Sequence, residues 1–150
     1  MAEDLPGIFH PGPIPDRWTV TTSDAPEGWE NGYAASAEGE TVATAATRRT
    51  LVSRLRDAYP VGRRDREITY RGEDVEALGA ITIHVLTEDP ECRRLVLCTA
   101  AQDITAIDFA ERAGYRYVTD VDLADGGSVS LMVAEPVSVL SEPNAVESHR

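Results

Sequence analysis

The segment from Arg93 to Pro136 constrains the fold of this chain more than any other part of the sequence. Residues 94–98 form a short apolar run between charged and small residues, which is typical of a buried strand. From residue 102 to residue 113 apolar side chains recur at helical spacing, and Gly114 follows where a helix ends. The segment therefore predicts a strand that leads directly into a helix.

A β-hairpin pattern comes immediately after this helix. Residues 115–123 and 128–134 are rich in residues that favour strands, and Asp125-Gly126-Gly127 between them can adopt the positive φ angles of a tight turn. We expect both strands to share one mixed sheet with residues 94–98, and the helix to pack across that sheet.

The chain before residue 93 also alternates between strand and helix patterns. Residues 33–37 and 41–46 predict a hairpin, and residues 67–70 predict a short strand. Apolar spacing up to Pro60 predicts a helix over residues 49–59. Residues 73–87 predict a second helix, although Ile81, Ile83 and Val85 at its centre suit a strand equally well.

Length and composition favour one globular domain with two tails. The chain has 150 residues, of which 42% are hydrophobic and 27% charged. Proline-rich residues 1–16 and acidic residues 137–150 predict flexible tails around a domain of residues 17–136. The sequence shows no transmembrane run and no signal segment, so we expect a cytoplasmic protein. The two cysteines, Cys92 and Cys98, predict structural thiols rather than a metal site.

The charge of the chain is uneven. All 14 basic residues are arginines, which is typical of a GC-rich bacterial genome, and the net charge is −12. This charge argues against nucleic acid and anionic membranes as partners. Residues 48–71, however, hold eight arginines against three acids. They predict either a local anion site or a solvated surface on which the arginines pair with acids.

The helix pattern resembles a motif of the Gcn5-related N-acetyltransferases. In that family the helix after the fifth strand commonly reads N-x-x-A-I-x-[LF]-Y-x-x-x-G-F. Residues 103–115 match its framework at five positions: Ala106, Ile107, Phe109, Gly114 and Tyr115. The Asn position is Asp103, and Ala110 replaces the tyrosine that is often proposed to protonate the leaving thiolate.

This resemblance implies a single-domain α/β (α+β) fold with a mixed, mostly antiparallel sheet and flanking helices. It also implies an acetyl-coenzyme A or other acyl-coenzyme A substrate, bound at a glycine turn that opens a helix. The residues it implies for coenzyme binding lie near this turn and at the start of the later helix: Ile68, Tyr70, Arg71, Gly72 and Asp103. Asp74 and Glu76 replace small residues of the turn, and they can instead serve as a helix cap.

Two classes of function follow from the resemblance. The first is an N-acyltransferase that acts on an amine of a small molecule or a protein, with the strand at 67–70 parting from residues 94–98 and Glu67 as general base. The second is a non-catalytic relative that serves as a binding or regulatory module. His84 fits the boundary of the core better than a catalytic role. The ten residues between strands 18–22 and 33–37 leave no room for the helices that the family usually has there.

Overall fold

The computed structural model describes residues 5–138. Apart from Val137 and Ser138, the predicted C-terminal tail lies outside the described residues. These residues form eight strands and two α-helices, which in order are β1 (Ile8–Phe9), β2 (Thr19–Ser23), β3 (Asn31–Ala37), β4 (Glu40–Arg49), β5 (Asp65–Arg71), α1 (Val75–Glu88), β6 (Arg94–Ala100), α2 (Ile104–Arg112), β7 (Arg116–Asp122) and β8 (Ser128–Pro136). Neither helix is long and apolar enough to cross a membrane.

All eight strands belong to one mixed sheet. The strand order is β1-β8-β6-β5-β4-β3-β2, and β7 pairs with β8 beside β1. The β5–β6 and β1–β8 pairs are parallel, and the other pairs are antiparallel. The predicted α/β fold is therefore confirmed. The prediction that β6, β7 and β8 share a sheet is confirmed as well.

Both helices pack on the same face of the sheet. The buried residues Leu78, Ile81 and Val85 give α1 an apolar side, which settles the ambiguous pattern in this segment in favour of a helix. Buried alanines of β3 and β4 lie in the same core cluster, and their short side chains let the helix approach the sheet closely. The alanines of the predicted hairpin thus have a packing role.

The predicted helix at residues 49–59 is wrong. Only Thr50–Val52 forms a 3-10 turn, and irregular turns follow. The Ser53 hydroxyl donates to the carbonyl of Thr50 and accepts from the N–H of Leu55, so it satisfies backbone groups that a helix would have paired. Leu55 is fully buried on the sheet face opposite α1, whereas Val52 is 58% exposed. The segment is therefore held to the core by the single side chain of Leu55, and not by the apolar face of a helix that the spacing predicted.

Part of the segment predicted as an N-terminal tail packs on the domain. Strand β1 runs parallel to the end of β8, with Ile8 opposite Glu135. The Phe9 ring is buried and makes an edge contact with the Tyr115 ring, with centroids 5.7 Å apart. Trp18 is buried as well. The core thus begins before residue 17, because the Phe9 ring belongs to the same buried cluster as the apolar side of α1.

Gly114 provides a test of this packing. Its φ of +111° disfavours any side chain, and an added Cβ would lie 2.8 Å from Cζ of Phe9. Gly126 has a φ of +98° but no atom within 4 Å of the equivalent Cβ. We expect Gly126→Ala to cost about 1–2 kcal/mol from backbone strain. Gly114→Ala should cost about 1–3 kcal/mol more because it also overpacks the core.

Urea denaturation of the two variants and the parent protein measures this difference. Equal losses of stability for Gly114→Ala and Gly126→Ala would show that Phe9 does not press on Gly114.

Candidate active site

The central strands β5 and β6 pair over only part of their length. Their parallel register runs from Asp65–Arg94 to Ile68–Leu97 and contains no later pair. Beyond that point, Thr69–Arg71 pairs only with β4, and Cys98–Ala100 pairs only with β8. The two strands therefore separate at their carboxyl ends. The backbone groups of Thr69–Arg71 that would face β6 have no strand partner within residues 5–138. The separation expected from the resemblance is present.

The helix-side wall of this gap is aromatic. The Tyr70 ring lies against the Phe109 ring of α2, with centroids 5.9 Å apart, and the Tyr70 hydroxyl donates to the carbonyl of Asp74 at 2.7 Å. Burial, followed by the nearby Asp74 charge, raises the pKa of Tyr70 to about 12. The phenol is therefore neutral at physiological pH. It fixes the turn between β5 and α1 in place.

The turn into α1 is shaped for a helix cap. Gly72 has a φ of +156°, and an added Cβ would lie 2.8 Å from Cβ of Ala43. One Asp74 carboxylate oxygen accepts hydrogen bonds from the N–H groups of Glu76 and Ala77, at 2.8 and 3.1 Å. The predicted capping role of Asp74 is thus present, and two N–H groups that a phosphate could use already have a partner.

The other predicted coenzyme-binding residues lie around the same end of β5 and β6. Ile68 is buried at the last β5–β6 pair. Asp103 caps α2, just after β6, and accepts from the N–H of Ala106 at 3.1 Å. Arg71 follows Tyr70 on the strand, so its side chain points to the opposite face, where it lines a cavity. The predicted residues are thus divided between the two faces of the sheet.

Glu67, the predicted general base, is buried in an ion pair. Its carboxylate is 2% exposed. One oxygen accepts a hydrogen bond from Nε of Arg48 at 3.0 Å and also lies 3.0 Å from Nη2 of Arg48, and the other lies 3.5 Å from Nη2 of Arg54. A substrate amine can reach neither oxygen without displacing an arginine. This environment favours a structural role for Glu67, and the general-base role stays a prediction.

A cavity of about 430 Å³ lies beside this ion pair, on the sheet face away from α1. Its wall includes Trp29, and the Arg48 guanidinium lies over the Trp29 ring at 4.0 Å from its centroid. The cavity borders the part of β5 that has left β6. It is lined by Ser23, Asp24, Pro26, Trp29, Thr44, Ala45, Ala46, Thr69, Tyr70 and Arg71.

Sequence patterns do not identify Trp29, Arg48 and Arg54 as parts of this site. Trp29 lies in the connection between β2 and β3, where the local pattern shows only turn residues. The surplus of arginines in residues 48–71 was the one available signal. Five of these eight arginines form ion pairs with described acids, namely Arg48, Arg49, Arg54, Arg64 and Arg66. Pairing with acids thus accounts for most of the cluster.

The remaining reactive side chains have structural surroundings. The His84 ring packs edge-on against the Tyr33 ring at 5.8 Å, as expected for the boundary of the core. Both cysteines are free thiols. Burial raises the pKa of Cys92 and of Cys98 to about 12. For Cys98 the charge of Glu67 adds to this shift and the nearby Arg54 opposes it. Neither thiol is therefore activated as a nucleophile.

Comparison with known proteins finds similarity at the level of structure. No protein-family model matches the sequence. No curated protein matches it either. Among solved structures, the aminoglycoside N-acetyltransferase AAC(6')-Ib11 superposes with a TM-score of 0.58 at 22% identity, over 70% of this chain and 65% of that one. The AAC(6')-Ib enzyme in complex with ribostamycin and coenzyme A gives 0.58 at 21% identity, over 80% and 68%.

A protein from Bacillus halodurans (bh2621) also matches, with a TM-score of 0.58 at 16% identity, over 73% of this chain and 60% of that one. The fold is that of the Gcn5-related N-acetyltransferases. The chain spans about two thirds of the length of these neighbours. The resemblance of residues 103–115 is thus supported by the whole topology.

The ion pair of Glu67 gives a stability prediction. Glu67→Gln leaves two arginines around a neutral, buried side chain, so it should lower the free energy of unfolding by about 3 kcal/mol. The exposed pair between Glu91 and Arg64, 3.9 Å apart, serves as the control. Glu91→Gln should change stability by less than about 1 kcal/mol.

Chemical denaturation at neutral pH compares the two variants. A loss of stability in Glu67→Gln no greater than that in Glu91→Gln would contradict a buried, structural role for this carboxylate.

Proposed function

We propose that the protein transfers an acyl group from a coenzyme A thioester to an amine of a small molecule or a protein. The observation that carries this proposal is the gap where β5 and β6 separate after the Ile68–Leu97 pair. The gap exposes backbone groups of β5 between the beginnings of α1 and α2. A thioester placed there can receive hydrogen bonds on its carbonyl oxygen.

In this proposal the reaction is a direct acyl transfer across the sheet. The coenzyme enters from the helix side, with Ile68, Tyr70, Gly72, Asp103 and the backbone of Arg71 as its proposed contacts. The neutral amine occupies the cavity on the other face and attacks the thioester carbon. The new C–N bond forms as the C–S bond breaks, and the proton lost by the amine is transferred, directly or through water, to the departing thiolate. The solved AAC(6')-Ib complexes with acetyl-coenzyme A or coenzyme A support this choice of donor.

A non-catalytic binding module is the second candidate. It is favoured by the Asp74 carboxylate at the beginning of α1 and by Ala110, which has no proton to give to the thiolate. The two candidates differ in whether the gap binds an acyl-coenzyme A. A calorimetric titration with acetyl-coenzyme A therefore separates them.

Asp74→Gly sharpens this test. The change removes a negative charge where the phosphates should lie and frees the N–H groups of Glu76 and Ala77. Coenzyme A should bind about tenfold tighter or more, since a repulsion of roughly 1.4 kcal/mol corresponds to a factor of ten. Loss of the cap to glycine should cost only a few tenths of a kcal/mol of stability.

Asp125→Gly, in the exposed β7–β8 turn, is the matched control because it removes the same charge elsewhere on the acidic surface. Titrations at low and moderate salt add a second test, because coenzyme binding through a true phosphate contact should weaken as ionic strength rises. The acyltransferase proposal fails if folded parent protein and all variants show no binding at millimolar coenzyme A.

A further inference from the structure

Arg48 and Arg54 share the single carboxylate of Glu67, so these three side chains together carry one net positive charge. The hydrogen-bonding capacity of Arg48 is largely used, because it binds Glu67 through Nε and Nη2 and donates through Nη1 to the carbonyl of Gly28 at 3.2 Å. Arg54 lies 3.5 Å from Glu67 and beside the Cys98 thiol, and its side chain is 46% exposed. Most donors of the Arg54 guanidinium are thus available to a ligand.

Arg54 is also placed where the proposed reaction would occur. Glu67 precedes the last β5–β6 pair by one residue, and Cys98 follows that pair on β6. The Cys98 thiol interacts with both Glu67 and Arg54, so the guanidinium lies at the point where the strands begin to separate. It lies on the face away from α1, which is the face of the cavity beside Trp29.

We propose that Arg54, supported by the Arg48–Glu67 pair, binds a carboxylate of the substrate at the point where β5 and β6 separate. This inference rests on the proposed acyl transfer and names a property of its substrate. A guanidinium fork matches a carboxylate in shape and can bind it through two parallel hydrogen bonds. Because two guanidiniums share the single charge of Glu67, one net positive charge is left for the ligand.

The carboxylate can come from either reactant. A dicarboxylic acyl group, such as succinyl, carries one beyond the thioester carbonyl. An amine acceptor of the amino acid class carries one beside its amine. Both sources bring a carboxylate within a few bonds of the reacting carbon, so the same arginine can serve either of them. The protein as a whole is strongly acidic, which makes a local site necessary for any such anion.

The experiment measures binding of four probes by calorimetry. Succinyl-coenzyme A is compared with acetyl-coenzyme A, and phenylalanine is compared with phenylalaninamide. Each probe is titrated into the parent protein, Arg54→Gln and Arg56→Gln. Arg56 is an exposed arginine two residues further on that makes no ion pair with another described residue, so its variant removes the same charge outside the site.

We expect one carboxylate-bearing probe to bind at least tenfold more tightly than its counterpart without that carboxylate, which is the range of a charge-assisted hydrogen bond. Arg54→Gln should remove this preference, and Arg56→Gln should keep it. The pair of probes that shows the effect identifies the source of the carboxylate. Arg54→Lys keeps the charge but not the two parallel donors of the guanidinium, so it should retain part of the preference. This variant also provides a test of the inference if Arg54→Gln does not fold.

Equal binding of the probes with and without the carboxylate, or equal effects of the Arg54 and Arg56 variants, would overturn the inference. Failure of the acyl-transfer proposal gives a different result, in which neither thioester binds the parent protein. The phenylalanine comparison then still decides whether Arg54 binds a carboxylate. A chain that binds none of the four probes would overturn both proposals.

Discussion

The short register between β5 and β6 is the constraint on which the rest of the structure depends. Four residue pairs join the two strands, and the sheet then divides into a β4–β5 part and a β6–β8 part. Each part finds its hydrogen-bond partners on its outer side, so the division costs few backbone bonds. The helices that follow these strands both begin at the gap, and the cavity lies on its other face.

The buried ion pair at Glu67 joins this gap to the rest of the chain. Glu67 and Arg48 are cross-strand neighbours on β5 and β4, and Arg54 comes from the irregular segment that follows β4. A carboxylate at this depth is tolerated because two guanidiniums offset the cost of removing it from water. The pair therefore holds three segments in place, and this role competes with proton transfer.

Local patterns were sufficient for most of the fold. The turn Asp125-Gly126-Gly127, the glycine at the end of α2 and the capping residue before α1 each have a short-range physical cause that the sequence displays. The segment 49–59 could not be predicted, because its conformation depends on one side chain, Leu55, reaching a distant part of the core. Strand β1 could not be predicted for a different reason, because its two residues are too few to show a strand pattern.

The sequence predicted the residues of the site less well than it predicted the fold. Tyr70 and Gly72 lie where the resemblance implied, because the turn from strand to helix follows local rules. Arg48, Arg54 and Trp29 meet only through the pairing of strands distant in sequence, and that pairing decides which arginine is buried and which keeps its donors. The charge pattern thus pointed to residues 48–71, but only the tertiary structure shows which of these arginines lie at the site.

The contact between Phe9 and Gly114 links the beginning of the chain to the proposed coenzyme site. Gly114 ends the turn after α2, and Phe109, five residues earlier, supports the Tyr70 ring at the gap. A shortened chain that lacks Phe9 would leave α2 free to shift at its carboxyl end, and that movement would reach Tyr70 through one aromatic contact. The first strand is therefore a remote determinant of the shape of the gap.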